Sequence, residues 1–255
     1  MSSFAATVAV CAHRDIKAEV WERLWALGAC PDPKITVRIL DGDALISRSR
    51  SRAATYFLEK TEDDLLMFID DDVVISPFDA TKLLQEAHQL NLPIVGAAYV
   101  TKSKVKPGFA VRPLGTEKIE FGVNGKIHEM RSISTGCMVI RREVLKKFIN
   151  EKVAPLCTHG SAKYYPFFQH EKMVIDGVWE DISEDWYFCE KARKLGYSVW
   201  CDTAIKLGHI GPYEYTWDDI IEVKNGARKT YDNHTFNVVA PNTDSALKEC
   251  EAAKA

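Results

Sequence analysis

The sequence predicts an α/β protein in which a central, mostly parallel mixed sheet is flanked by helices. Two observations carry this. Short apolar runs rich in β-branched residues alternate with segments of helical periodicity through the first hundred positions, and one run, Leu65-Leu66-Met67-Phe68-Ile69, contains no polar residue at all. A strand that is apolar on both faces needs a sheet covered on both sides, which helices on either face supply.

The elements follow in order. Ala5 to Ala12 is a short apolar run stopped by His13-Arg14-Asp15, hence a buried strand ending in a loop. Val20, Trp21, Leu24, Trp25 and Leu27 recur at helical spacing, and Gly28 with Pro31 and Pro33 closes that helix. Ile35 to Leu40 reads as a second strand, with Asp41-Gly42-Asp43 as its turn. From Ile46 to Lys60, Ala53, Ala54, Phe57 and Leu58 mark a helix whose start carries Arg48, Arg50 and Arg52. The Leu65 to Ile69 strand then runs directly into Asp70-Asp71-Asp72. Ser76 fits an N-cap, Pro77 the first helical position and Asp79 the third, which predicts a helix to about Leu90. Pro93 to Val100 is a further strand, followed by a polar loop with Lys102, Lys104 and Lys106.

The second half is less regular. Strand-like pieces occur near Ile119 to Phe121 and Lys126 to Met130, then Ser134 to Ile140, with a helix from about Arg142 to Ile149. Tyr164-Tyr165-Pro166-Phe167-Phe168 reads as a loop packed on the surface. Ser183 fits a cap for a helix from Glu184 to about Leu195, ended by Gly196, and Tyr197 to Cys201 is a last strand.

Composition bounds the class. The chain has 255 residues, 46% hydrophobic and 27% charged, which excludes a disordered tail or a collagen-like fibre. With no internal repeat or low-complexity linker, the reading is one domain over residues 1–240, divided into a regular half, 1–100, and an elaborated half, 101–240. The polar, Ala/Lys/Glu-rich tail, 241–255, reads as a loose helix or as disorder. A net charge of -3 lacks the broad positive field of nonspecific nucleic-acid binders, and Arg48, Arg50 and Arg52 alone fall short of a basic patch. No apolar run approaches the roughly 18 residues that span a bilayer. The start of the chain has no basic segment of the kind that opens a signal peptide. The seven cysteines are odd in number and never form a Cys-x-x-Cys pair, which fits reduced thiols in a cytoplasmic setting. Cys11, Cys137, Cys189 and Cys201 sit in apolar stretches and read as core residues.

Three places carry candidate chemistry. Asp70-Asp71-Asp72 follows a buried strand, and open α/β sheets bind ligands outside the carboxyl ends of their strands. Adjacent carboxylates repel, and a hard divalent cation such as Mg²⁺ or Mn²⁺ would hold them together; a solvated turn capping the next helix explains the triplet as well, and the apolar run before it favours the metal. Glu184-Asp185 opens a helix, where the helix dipole alone accounts for acidic residues. His209 lies between glycines in Gly208-His209-Ile210-Gly211, and by itself is an ordinary histidine.

Together these segments resemble the GT-A-type glycosyltransferases, notably those related to family 2. The match runs from about Thr7 to Gly211: DGDALISRSRSRAATYFLEKTEDDLLMFIDDD (Asp41 to Asp72), STGCMVIRREVL (Ser134 to Leu145) and SEDWYFCEKARKLGYSVWCDTAIKLGHIG (Ser183 to Gly211) fall in that family's order. The resemblance implies a Rossmann-like GT-A fold and transfer of a sugar from a nucleoside diphosphate donor, a UDP- or GDP-sugar, with Mn²⁺ or Mg²⁺ as cofactor. It implies Asp70, Asp72 and His209 as metal ligands, with Asp72 the direct one, and Asp185, with Glu184 beside it, as general base of an inverting transfer. It further implies that Ala12, His13, Arg14, Asp41, Asp70, Asp71, Gly136 and an arginine, Arg48 or Arg50, contact the nucleotide sugar. The Arg48 to Arg52 run departs from the family's Arg-Asn dipeptide, with Ser51 where Asn is expected after Arg50, so both arginines stay in play. Lys102, Lys104 and Lys106 read as a solvated loop or as a cover for the diphosphate. A glycan, a protein, a lipid-linked glycan or a nucleic acid would all serve as acceptor.

Two other readings compete. A sugar-phosphate nucleotidyltransferase would share the architecture and the metal aspartates, but Cys11 to Asp15 contains no glycine for its phosphate loop. A non-catalytic protein would use the aspartates for a structural ion, and the presence of Asp185 and His209 argues against it.

Overall fold

The structure, a computed structural model, describes residues 4–12, 15–103, 108–219, 223–224, 227–228 and 236–239. His13, Arg14, Lys104, Lys106 and the 241–255 tail lie outside the described residues.

The first half alternates as its periodicity predicts: β1 (Ala5–Cys11), α1 (Ala18–Gly28), β2 (Lys34–Leu40), α2 (Ile46–Lys60), β3 (Leu65–Ile69), the short β4 (Val73–Val74), α3 (Pro77–Gln89) and β5 (Ile94–Gly96). The second half adds β6 (Val111–Pro113), β7 (Ile119–Gly122), β8 (Ile127–Ile133), β9 (Cys137–Arg141), α4 (Arg142–Asn150), β10 (Cys157–His159), β11 (Ala162–Tyr164), β12 (Glu171–Ile175), β13 (Val178–Ile182), α5 (Glu184–Lys194), β14 (Val199–Asp202), β15 (Gly208–Ile210) and β16 (Glu214–Tyr215).

Eight strands form the central sheet in the order β2-β1-β3-β9-β5-β14-β8-β6. β2, β1 and β3 are mutually parallel, as are β5 and β14. β9 lies antiparallel between β3 and β5, and β8 antiparallel between β14 and β6. The sheet is therefore mixed, and less parallel than the sequence predicts: β9 and β8 run against the other six strands, which makes four of the seven strand pairs antiparallel and three parallel.

Side-chain alternation assigns the two faces. Leu65, Met67 and Ile69 of β3 pack with Val20, Leu24 and Leu27 of α1 and Leu83, Leu84 and Ala87 of α3. Leu66 and Phe68 point the other way, into a second cluster with Phe57 of α2, Phe148 of α4 and Phe188 of α5. This three-layer arrangement explains why β3 had to be apolar throughout. Helix α3 starts as its sequence predicts: the Asp79 N–H donates to Ser76 Oγ at 3.0 Å, and the Ser76 hydroxyl donates to Asp79 Oδ2 at 2.6 Å.

Several expectations change. The Pro93 to Val100 strand shortens to Ile94–Gly96, with Val100 making a separate bridge to Phe109. The Tyr164 to Phe168 stretch does not lie on the surface at its end: Phe167 and Phe168 are buried, and Phe168 packs between Phe68 and Phe188 at ring-centroid distances of 5.4 and 4.7 Å. Its backbone N–H donates to Ser51 Oγ at 3.0 Å, which satisfies a buried peptide group beside Pro166. The strand read at Tyr197 to Cys201 is β14, and it is not the last. Ser183 precedes α5, but its hydroxyl turns to Asp185 Oδ1 instead of capping the backbone. Cys11, Cys137, Cys189 and Cys201 are buried free thiols, as their apolar surroundings predict. Among the described residues, no helix is long and apolar enough to cross a membrane.

Candidate active site

The aspartate triplet sits where β3 leaves the sheet, and three later segments converge on it. The turn before β9 is the first: the Asp70 N–H donates to the Gly136 carbonyl at 3.1 Å. A Cβ on Gly136 would stand 2.6 Å from the Tyr99 ring and 3.0 Å from Asp70 Oδ2, so only glycine lets this turn approach. β15 is the second. It pairs antiparallel with β4, placing His209 opposite Val73, and the Ile210 N–H donates to the Asp72 carbonyl at 2.7 Å. Helix α5 is the third, bringing Glu184 and Asp185.

Arg50 ties two of these together. Its guanidinium is buried, with Nη2 at 2.8 Å from both oxygens of Asp70 and Nη1 at 2.6 Å from Glu184 Oε1. Burial opposes the charge, but the carboxylates of Asp70 and Glu184 outweigh it and push the guanidinium well above its usual range. The arginine remains a fixed cation bridging the end of β3 to the start of α5. Its Nε is buried with no hydrogen-bond partner. Arg48, two residues earlier, faces elsewhere: its Nε and Nη2 make a paired contact with Asp43 at 2.7 and 2.8 Å. The Arg48 hydrogen bonds hold the Asp43 carboxyl below the usual range.

Asp72 belongs to a second cluster. His209 Nδ1 lies 2.8 Å from the Val100 carbonyl. A carbonyl only accepts, so Nδ1 carries the proton and Nε2 keeps its lone pair, 3.7 Å from Asp72 Oδ1. Burial lowers the His209 pKa, and the Lys102 charge adds to the effect against the opposing pull of the Val100 carbonyl and Asp72. The Lys102 ammonium contacts the other oxygen of Asp72.

Asp185 is nearly buried, and its Oδ1 accepts from the Ser183 hydroxyl and, at 2.8 Å, from the Trp186 N–H. These bonds fix the carboxylate beside the Arg50-Glu184 pair. Asp71 turns its backbone carbonyl to α1, accepting from Lys17 N at 3.2 Å. Beyond the ends of β1 and β2, Leu40, Asp41, Asp43, Ser49 and Arg52 line a cavity of about 210 Å³. The Ala12 N–H donates to the Leu40 carbonyl at 2.9 Å, which closes β1 against this end of β2. A larger cavity, about 360 Å³, lies between α1 and β2. Its lining of Trp21, Leu24, Trp25, Gly28, Ala29, Val37 and Ile39 holds no titratable side chain, so it offers nothing for proton or group transfer.

Sequence reasoning missed Tyr99. Its ring lies 4.6 Å from that of His209, and burial, reinforced by Asp70, pushes the phenol upward, so it stays an O–H donor at neutral pH. Within the predicted Pro93 to Val100 strand it reads as one more strand residue. Its hydroxyl, bonded to the Ser134 side chain, is the signal that only the folded chain supplies.

No family model matches the chain, and no curated protein matches it. Among solved structures it is similar to A197 from STIV, with a TM-score of 0.56 and 19% sequence identity over 90% of this chain and 95% of that one. The two chains share a fold across nearly their whole lengths.

Proposed function

We propose that this chain is a GT-A-type glycosyltransferase that moves a sugar from a nucleoside diphosphate donor to an acceptor hydroxyl with inversion. The observation that carries the reading is the convergence, at the carboxyl end of β3, of four segments far apart in sequence. They are the same four, Asp70 to Asp72, Gly136, Glu184-Asp185 and His209, whose order resembles that family. The fold shared with A197 from STIV agrees with a mixed α/β architecture spanning the chain.

Among the described residues no three His, Cys, Asp or Glu side chains are grouped as ligands for an ion, and Asp70, expected as a ligand, has both oxygens on Arg50; of the expected set Asp72 and His209 are left for Mn²⁺ or Mg²⁺, whose remaining ligands would have to come from the donor's phosphates and water. His209 Nε2 keeps its lone pair and lies 3.7 Å from Asp72 Oδ1. Asp72 and His209 would hold the ion, while Asp70, with both oxygens on Arg50, would act on the donor and on the placement of Glu184. When bound, the ion would offset the charge that develops on the departing diphosphate.

The chain's own groups supply the rest. The cavity lined by Asp41 and Arg52 would take the base and ribose. Arg48 would shape that pocket through Asp43, leaving Arg50 as the arginine of the diphosphate side. The acceptor oxygen attacks the anomeric carbon, its proton passes to Asp185, and the bond to the nucleoside diphosphate breaks with the electron pair leaving on its phosphate oxygen. A carboxylate in this role contributes typically about 10²–10⁴-fold.

The test is product stereochemistry with turnover. Anomeric NMR on the transferred sugar is expected to show the opposite configuration to the donor, and Asp185→Asn to lower kcat by about 10²–10⁴-fold with nucleotide affinity retained. Retained configuration, or an active Asp185→Asn enzyme, would remove Asp185 as the base.

A further inference from the structure

The hairpin β12–β13 leads directly into α5, the helix that carries Asp185, and its two faces differ. Alternation sends Met173, Ile175 and Ile182 inward, where they cluster with Tyr187 of α5. The other face presents two cross-strand pairs, Val174 opposite Trp179 and Lys172 opposite Asp181, all four exposed, with Trp179 at 73%. His170, just before β12, joins the second pair, its Nε2 3.2 Å from Asp181 Oδ1. A two-stranded hairpin is marginally stable by itself, and this one is strapped to the body. Among the described residues, ion pairs reach it from three elements. Arg112 of β6 makes a paired contact with Glu180 at 2.6 and 2.8 Å, Arg131 of β8 meets Asp176 in the turn at 2.6 Å, and Lys191 of α5 meets Glu171 at 3.1 Å. Arg131 also holds Glu190 of α5 at 2.6 Å, so the tip of the hairpin is tied to the helix of Asp185. The hairpin is thus fixed in orientation while its largest ring stands in solvent. Trp179 and Asp185 are six residues apart, at most about 20 Å of extended chain.

We propose that this outer face is an acceptor subsite and that the acceptor is a glycan: Trp179, with Val174 beside it, stacks on one sugar ring of the acceptor, and Lys172, Asp181 and His170 hydrogen-bond that ring's hydroxyls. The proposal rests on the reading of Asp185 as the base of a sugar transfer. A pyranose is amphipathic, with C–H groups on its flat side and hydroxyls around its rim. An indole face meets the first without stranding a polar group, and donors and acceptors at the indole's edge meet the second. The size of the face selects against a protein partner, because one tryptophan and one valine fall short of the roughly 800 Å² that a stable complex covers on each side. An apolar tail would strip water from Lys172, Asp181 and His170 and return no hydrogen bond to them. The ring held on Trp179 is a unit other than the one whose hydroxyl attacks. Because the hairpin is fastened to α5, that grip sets how the rest of the glycan reaches Asp185, and it favours acceptors of two or more units over single sugars.

The test applies the fluorescently labelled full chain to a printed array of neutral oligosaccharides. The wild type is expected to bind a glycan of two or more units, and Trp179→Ala to bind it about tenfold more weakly, the size of truncating an aromatic anchor. Trp179→Phe, which keeps a flat ring, should regain most of that affinity. Trp25→Ala, which removes a tryptophan of equal exposure, 72%, from α1, should change it less than twofold. Calorimetry with UDP and GDP on the same proteins should give equal nucleotide affinity in the wild type and Trp179→Ala. A wild type that binds no glycan on the array, or a Trp179→Ala protein that binds as tightly as Trp25→Ala, would overturn the subsite. If a nucleotide still binds that wild type, the sugar-transfer reading outlives the subsite; if neither nucleotide binds, both fall. A wild type that sediments as a dimer and a Trp179→Ala protein that sediments as a monomer would give the face to a second copy of the chain and overturn the glycan.

Discussion

Asp70 and Asp72 stand two residues apart at the end of one strand, yet they occupy different worlds. Asp70 faces inward, its two oxygens on a buried arginine that also grips Glu184. Asp72 faces the mouth, between a half-buried imidazole and a mobile class of side chain, the lysine. The difference shows how a chain can assemble a charged site without losing its fold. The inner pair joins the end of β3 to the start of α5 through Arg50. The outer one is partly exposed, with Lys102 on one oxygen and His209 near the other.

Substitutions on the two sides should separate these roles. Asp72→Ala is expected to give the largest effect on activity, reducing metal-dependent turnover to background, with thermal stability close to wild type because an exposed pair contributes at most about 1 kcal/mol. An Asp72→Ala protein with near wild-type turnover would remove that residue from the site. Arg50→Met should act first on stability, costing about 3–5 kcal/mol in urea unfolding, since it leaves Asp70 and Glu184 facing each other without their buried counter-ion. A loss below about 1 kcal/mol would show that the bridge is not structural. Gly136→Ala should fall between, losing about 1–3 kcal/mol as its methyl drives against Tyr99 and Asp70. It should also weaken nucleotide binding, because the turn carries the carbonyl that receives the Asp70 N–H. Unchanged stability and binding would mean that the turn relaxes freely.

The inner and outer sides also differed in how far the sequence disclosed them. The strand leading to the triplet was legible, because Leu65 to Ile69 fits only a doubly covered strand, and the Ser76-Pro77-Asp79 helix start reads directly from cap chemistry. The choice between Arg48 and Arg50 was not legible. Two residues on a helix differ by about 200° in direction, and which one faces the sheet depends on how α2 packs. The structure sends Arg48 to Asp43 and Arg50 to Asp70. Tyr99 was hidden for a similar reason: a polar tip on a strand acquires meaning only from what lies across the turn at Gly136. The hairpin β12–β13 was a readable signal left unread. Asp176-Gly177, with both residues at positive φ, is a two-residue turn between paired strands, and Asp-Gly is the dipeptide that favours such turns. Phe167 and Phe168 were misplaced because Pro166 and polar neighbours mark a loop, while the burial comes from α2 and α5, remote in sequence.

The measurement that bears most directly on the whole account is calorimetric titration of the wild-type chain with UDP and GDP, each with Mn²⁺ and again with chelator, repeated on Asp72→Ala. The account predicts binding of one nucleotide that needs the metal and that disappears in Asp72→Ala. No binding of either nucleotide under any metal condition, or metal-dependent binding that survives Asp72→Ala unchanged, would contradict it.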